Sequence, residues 1–226
     1  MITRRRLLER CLSAVAGGFV ICSLSSWRWV SKAWAVVKEI LPKGFSKSKL
    51  KDMNPALVDP RNLDLDPTDK FGTMGPTDIA VDLGTYRLKI GGEVNRPLSL
   101  TCEEILKLPS MTEDVLLVCP GFFANYGRWT GVHLNTLLQE AQPKRNALLA
   151  DIKGGRDKVV RIRLDSIERK KIFLAYRVNG ESLPKKHGFP LRLVYEEVYG
   201  DEWVKYVDEI VVLPDPTHPV ERKDGN

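Results

Sequence analysis

Residues 115–138 read VLLVCPGFFANYGRWTGVHLNTLL, and the fold turns on this stretch. Val115, Leu116, Leu117 and Val118 form an apolar run without alternation, closed by Cys119-Pro120-Gly121. A run this short, bounded by polar residues before and a Pro-Gly pair after, predicts a buried strand that ends at the cysteine. The next residues, PGFFANYGRW, read as a loop dense in glycine and aromatic rings. Leu134, Leu137 and Leu138 share one helical face, which predicts a short helix over Leu134–Ala141. Cys119 therefore stands at the carboxyl end of a core strand, where a core meets a ligand. Its thiolate would be a soft donor, suited to a soft or high-valent metal. Taken alone, a buried cysteine is more often a small hydrophobe.

Upstream, Tyr86-Arg87-Leu88-Lys89-Ile90 alternates as a strand and runs into Gly91-Gly92. Thr101 stands three residues before Glu104, the capping-box spacing, and predicts a short helix through Leu108 that Pro109 ends. Downstream, Ala147–Ile152 and Val159–Leu164 flank Lys153-Gly154-Gly155-Arg156-Asp157-Lys158. That pattern predicts a hairpin whose glycines take positive φ. Asp165 or Ser166 is expected to cap one helical turn through Lys170. Phe173–Val178, Leu191–Tyr195 and Ile210–Leu213 are strand candidates, with a turn at Asn179-Gly180. Short strands with a few short helices give a mixed α+β domain and not a doubly wound one. No glycine-rich nucleotide fingerprint follows a strand, and there is no internal repeat.

A second cluster lies at His187-Gly188-Phe189-Pro190-Leu191-Arg192. Arg192 falls in an otherwise apolar strand, so its charge needs either a carboxylate or an anionic ligand. Gly200, Trp203 and Lys205 follow, adding a turn, an aromatic ring and a second cation. A guanidinium and an ammonium reaching one phosphate are a coherent pair. The competing reading pairs Arg192 and Lys205 with Asp201, Glu202 or Asp208.

Composition narrows the function classes. The 226 residues are 43% hydrophobic and 28% charged, with five Trp and seven Phe, which excludes a disordered chain. The net charge is +6, but residues 1–35 hold six basic side chains against Glu9, leaving about +1 for the rest. The body therefore has no field that argues for nucleic acid. Of the four cysteines, Cys11 and Cys22 lie in the first segment, and only Cys102 and Cys119 remain. A disulfide framework is excluded, although a single Cys102–Cys119 bridge is conceivable. Zinc-finger, iron–sulfur and c-type haem spacings are absent. His133, His187 and His218 assemble into no zinc site, and no histidine context around Cys119 suggests a cysteine protease.

Residues 1–35 read as an address. A basic start is followed by an apolar stretch from Leu12 to Leu24 and then by the small-x-small triplet Ala33-Trp34-Ala35. Thr3-Arg4-Arg5-Arg6-Leu7-Leu8 resembles the twin-arginine export signal, which implies a periplasmic or other extracytoplasmic location and cleavage after Ala35. The other reading is an uncleaved membrane anchor. Residues 36–78, rich in Pro, Asp, Lys and Gly, read as a linker and an extended arm draped over the domain. The folded domain is expected over 79–213, and 214–226 as a flexible tail.

At its two clusters the chain resembles the oxidoreductase molybdopterin-binding domain shared by sulfite oxidases, assimilatory nitrate reductases and the periplasmic methionine-sulfoxide reductase catalytic subunit. The motifs are VLLVC with Trp129-Thr130-Gly131-Val132-His133-Leu134, and LAYRVNGESLPKKHGFPLRLVYEEVYGDEWVKYVDEIVV over 174–212. The latter carries an N-G-x-x-L-P turn, an H-G-x-P-x-R segment, and then Gly200 and Lys205. VDLGTYRLKIGGEVNRPLSLTCEEILKLP, residues 81–109, is similar to the opening of that domain.

The resemblance implies a mixed-sheet, sulfite-oxidase-like molybdopterin-binding fold and a Mo-molybdopterin cofactor. It implies Cys119 as the metal ligand and catalytic residue, and His187, Arg192, Gly200 and Lys205 as cofactor-binding residues. It further implies oxygen-atom transfer on a small-molecule substrate. On this length, the haem and immunoglobulin-like domains of sulfite oxidases are not expected. Electrons are then expected to pass to or from a separate redox partner such as a cytochrome or a membrane haem subunit. The chain departs from the family in three places: no clear pterin-contacting segment in 60–80, Glu202 where a cation is usual, and Gly121-Phe122-Phe123 in place of arginines. Arg128 is the only cation near Cys119 in sequence, so a neutral or bulkier substrate is favoured over a sulfite-like dianion. A non-catalytic binding or electron-chain accessory protein that keeps the fold is the alternative.

Overall fold

The computed structural model describes residues 37–216; the readings made on residues 1–35 and on His218 lie outside the described residues. The chain runs β1 (Glu39–Ile40), a single helical turn (Lys47–Leu50), β2 (Val58–Asp59), β3 (Leu88–Gly92), β4 (Leu98–Leu100), a helix (Cys102–Leu106), β5 (Met111–Cys119), β6 (Phe123–His133), a helix (Leu134–Ala141), β7 (Ala147–Gly154), β8 (Lys158–Arg163), a helix (Leu164–Arg169), β9 (Ile172–Val178), β10 (Glu181–Ser182), β11 (Arg192–Tyr195) and β12 (Val207–Pro214). The described residues also include three single turns of 3₁₀ helix, at Thr68–Lys70, Lys185–His187 and Gly200–Glu202.

The strands form two five-stranded sheets and one small parallel pair, β1–β2. One large sheet has the order β10-β9-β6-β5, with β11 also on β9, and is antiparallel throughout. The other has the order β4-β3-β12-β7-β8; it is mixed, because β3 and β12 run parallel. The expected mixed-sheet α+β fold is the one observed.

The unbroken apolar run in β5 is explained by burial on both of its faces. Val115 and Leu117 enter one cluster with Phe71, Trp129, Phe173, Ala175, Val194 and Trp203. Leu116 and Val118 enter another with Leu41, Leu50, Val58, Leu63 and Tyr126. Alternate residues of a strand face opposite sides, so a run with no polar position requires two covers. The second cover is the segment 41–63. Burying a leucine there contributes about 2 kcal/mol. The apolar packing thus continues well upstream of Ile79.

The largest cluster joins the mixed sheet, through Leu88, Ile90, Ile152, Ile210 and Val212, to Leu134, Leu137 and Leu138 of the eight-residue helix. His133 caps that helix: its Nδ1 accepts from the Asn135 N–H at 3.1 Å, which makes Nε2 the donor to Lys170 O at 3.0 Å. The capping box at Thr101 is present with both reciprocal bonds.

PGFFANYGRW is not a loop. Only Pro120–Phe122 turn, and Phe123–His133 is an eleven-residue strand in register with β5. Its unusual residues are matched from outside the hairpin. Gly127 leaves room for the Phe71 ring, whose Cζ would lie 2.6 Å from an added Cβ. The buried Asn125 side chain bonds both backbone groups of Gly72, at 3.0 and 2.9 Å. In the β7–β8 turn the positive φ values fall on Gly155, Arg156 and Asp157, so only one of the two glycines takes the conformation expected of both. Cys102 and Cys119 are both free, with no bridge between them.

Candidate functional site

A cleft of about 480 Å³ opens at the end of β5. Its walls are the strap Gly72–Pro76, Leu117 and Cys119, the turn Gly155–Lys158, and Gly200, Asp201, Trp203, Lys205 and Tyr206, with Arg192 also lining it. Four of the five residues singled out from sequence line it: Cys119, Arg192, Gly200 and Lys205. His187 stands one layer behind, buried, its ring edge-on to Phe71 at 5.8 Å.

Cys119 reaches the cleft because β5 ends there, half-buried. Its thiol donates to Met74 Sδ at 3.0 Å. Burial, and secondarily the Asp201 carboxylate, push the thiol above its ordinary range, so it is protonated at neutral pH unless a cation or metal meets it. The Gly200–Glu202 turn lies against β5; a Cβ on Gly200 would stand 2.9 Å from Leu117 Cδ1 and 3.4 Å from Val118 O.

Arg192 sits in β11 opposite Ala175, and its side chain is buried. Its guanidinium carbon lies 5.6 Å from the Trp129 ring centroid and 5.2 Å from that of Trp203. Nη1 donates to His187 O at 3.0 Å, while Nε has no partner. Burial lowers its pKa to about 10, which still leaves it charged at neutral pH. Burial, then Arg192, Lys186 and Lys205, lower His187 to about 4, so its ring is neutral; its Nε2 also lacks a partner.

Lys205 Nζ donates to Thr73 Oγ1 at 3.0 Å, Pro76 O at 2.5 Å and Lys186 O at 3.1 Å. Burial, then Arg192, lower its pKa to about 8. Gly188, at φ +106°, lets the preceding turn lie on this lysine: an added Cβ would come within 2.8 Å of Lys205 Cβ, so only glycine fits. Among the described residues, neither Arg192 nor Lys205 pairs with a carboxylate. Asp201 lines the cleft without pairing, and Glu202 is exposed and outside its lining.

Two buried donors, Arg192 Nε and Trp203 Nε1, thus lack acceptors beside two uncompensated cations. Buried polar groups are otherwise nearly always satisfied, and this arrangement suits an anionic ligand. Among the described residues no group of three or more His, Cys, Asp or Glu is placed to hold a metal ion. A metal at Cys119 would take its other donors from a ligand that carries them.

The sequence reading missed part of the wall. Arg128 turns away from the cleft and forms a two-point pair with Asp114, at 2.7 and 2.8 Å. The rim cations are instead Arg156 and Lys158, from the glycine turn. Charges inside a predicted turn were the available signal. Thr73, Met74 and Pro76 had none, because that segment shows no periodicity.

The fold is that of the sulfite-oxidase-like class. It resembles sulfane dehydrogenase SoxCD from Paracoccus pantotrophus with a TM-score of 0.58, over 80% of this chain and 51% of that one, at 22% identity. The chain belongs to the oxidoreductase molybdopterin binding domain family, whose model matches residues 74–220. Among curated relatives, the protein-methionine-sulfoxide reductase catalytic subunit MsrP of Gluconobacter oxydans is 30% identical over 167 residues, covering 64% of this chain and 53% of that protein. The NADH nitrate reductase of Volvox carteri is 29% identical over 160 residues, covering 56% of this chain and 18% of that protein. The chain thus aligns with about half of the first of these relatives and with less of the second.

Proposed function

We propose that the protein is a molybdopterin-dependent oxidoreductase that transfers an oxygen atom to or from a small molecule. The observation that carries this reading is one cleft shared by a thiol donor, Cys119, and two cations without carboxylate partners, Arg192 and Lys205. Its size lies in the range of small-molecule sites, roughly 300–1,000 Å³. Family membership supplies the cofactor class.

Cys119 would bind molybdenum through its thiolate, and a bound metal would remove the proton that burial favours on the free thiol. Arg192 and Lys205 would hold the cofactor's phosphate, with the Gly200 turn and His187 behind them fixing its seat. Molybdopterin brings the dithiolene donors that the protein lacks, and when bound it supplies two-electron oxo-transfer chemistry. The protein's own part is to bind, orient and exclude water. Trp203 and Trp129 keep the Arg192 charge away from bulk solvent, which strengthens its pull on an anion.

We place the protein outside the cytoplasm on the strength of residues 1–35, with electrons exchanged with a separate redox protein such as a cytochrome or a membrane haem subunit. Among the described residues no helix is long and apolar enough to cross a membrane. Amino-terminal sequencing of the exported form tests the first point, with cleavage after Ala35 expected.

The test of the activity class is elemental analysis after expression in a host that makes the cofactor. A molybdenum-to-protein ratio near one, lost in Cys119→Ser, supports the reading. Protein that is free of metal and pterin under those conditions overturns it.

A further inference from the structure

The segment after Phe71 crosses the cleft as an extended strap. Its fixed end is Gly72, clasped through both backbone groups by the buried Asn125. Beyond Gly72 none of residues 73–80 is buried, and none lies in a helix or strand. The strap is tied down by Lys205, whose Nζ bonds Thr73 Oγ1 and Pro76 O, and by Thr73 Oγ1, which donates to Lys186 O at 3.2 Å. Between those two ties Met74 lies over Cys119, sulfur to sulfur at 3.0 Å.

An ammonium has three hydrogens to donate. Lys205 spends all three on Thr73, Pro76 and Lys186. It cannot take a phosphate oxygen without releasing one of these acceptors, and two of the three belong to the strap. A segment without buried side chains, held by a few bonds, has a low opening free energy.

We infer that the Thr73–Pro76 strap is a latch, closed by Lys205 over the Cys119 thiol and released when a phosphate group claims Lys205. Ligand entry and exposure of the thiol are then one event. The inference rests on the phosphate role proposed above for Lys205, but the covering of Cys119 is testable without it.

The experiment uses the full chain from a host that does not make the cofactor. Iodoacetamide labelling of Cys119 is followed by peptide mass spectrometry, with Cys102 as the internal gauge of folding. Met74→Ala sets the rate of an uncovered thiol. Lys205→Met and Thr73→Val should each speed Cys119 labelling by about tenfold, the effect of losing one or two closing bonds. Removing a cation from the cleft would by itself disfavour the thiolate and slow labelling, so acceleration separates unlatching from electrostatics. Inorganic phosphate added to the wild type should also accelerate it, although the added negative charge acts the other way.

Unchanged rates in Lys205→Met and Thr73→Val overturn the latch, as does an unchanged rate in Met74→Ala. If a variant also exposes Cys102 it has unfolded; amide exchange of residues 73–76 in the wild type, with and without phosphate, then decides, and equal protection overturns the latch. If phosphate fails to raise the wild-type melting temperature, the phosphate role of Lys205 fails. If phosphate stabilises the protein but leaves Cys119 labelling unchanged, the latch alone fails.

Discussion

The Arg192 guanidinium lies 5.2 Å from the centre of the Trp203 ring, and no carboxylate among the described residues pairs with it. Two aromatic contacts return about 1–4 kcal/mol in all. Desolvating a cation costs several kcal/mol. With the hydrogen bond to His187 O added, gain and cost roughly cancel, and the ligand-free protein draws little stability from this residue. Arg192→Met should melt at the same temperature as the wild type or higher, while losing the stabilisation by phosphate. Thermal unfolding with and without phosphate reads both; a large fall in the ligand-free melting temperature would contradict the account.

Lys205 sets a pH dependence whose sign is fixed. Burial and Arg192 lower its pKa to about 8 in the folded protein, against an ordinary value of 10.5. Between these values the unfolded chain binds more protons, so this group's contribution to stability rises with pH across that window. Lys205→Met removes the rise, which denaturation at pH 7.5 and 9.5 would show as a difference between the two proteins. Phosphate binding runs the other way. It needs the charged ammonium, so affinity measured by calorimetry should fall above pH 8.

His187 acts at the acid end. Its folded pKa of about 4 lies below the ordinary 6.5. The neutral ring's contribution is complete above pH 6.5 and is lost as pH falls from there towards 4, by no more than about 1.4 kcal/mol per pH unit. His187→Gln should be less sensitive to acid than the wild type over that interval. Melting curves at pH 7 and 5 measure it, and parallel losses in the two proteins would refute it.

The segment 41–63 is part of the core. Leu50 is 1% exposed and packs with Leu116, Val118 and Tyr126. Leu50→Ala should destabilise the protein by about 2–4 kcal/mol through the cavity it leaves, without changing phosphate affinity. Denaturant unfolding gives the first quantity and calorimetry the second.

What the sequence disclosed follows the range of the interactions involved. β5 and the Leu134–Ala141 helix were legible because local hydrophobic pattern decides them. The Thr101 helix was legible because its capping box is a local bond. Arg192 was legible as a charge placed against an apolar pattern, and Lys205 as the second cation that follows it within a short span. β6 was misread because Gly127 and Asn125 look like loop residues until Phe71 and Gly72 are seen against them. Thr73, Met74 and Pro76 escaped because Lys205 and Cys119, distant in sequence, place them. Arg128 was taken for the nearest cation because proximity along the chain was the only guide; its own strand partner, Asp114, holds it elsewhere.

The parallel pairing of β3 with β12 has a consequence for biosynthesis. β12 lies in the middle of its sheet, between β3 and β7, although it follows every other described strand along the chain. Until Pro214 has left the ribosome, β3 and β7 each lack a neighbour, and the nascent chain carries two open edges that the finished sheet closes. Lys205 and the Gly200 turn emerge only just ahead of that strand. Pairing of β12 therefore closes the sheet directly behind the cleft's Gly200–Tyr206 wall, and a polypeptide truncated before residue 207 would keep those cleft residues but lose the strand that anchors them.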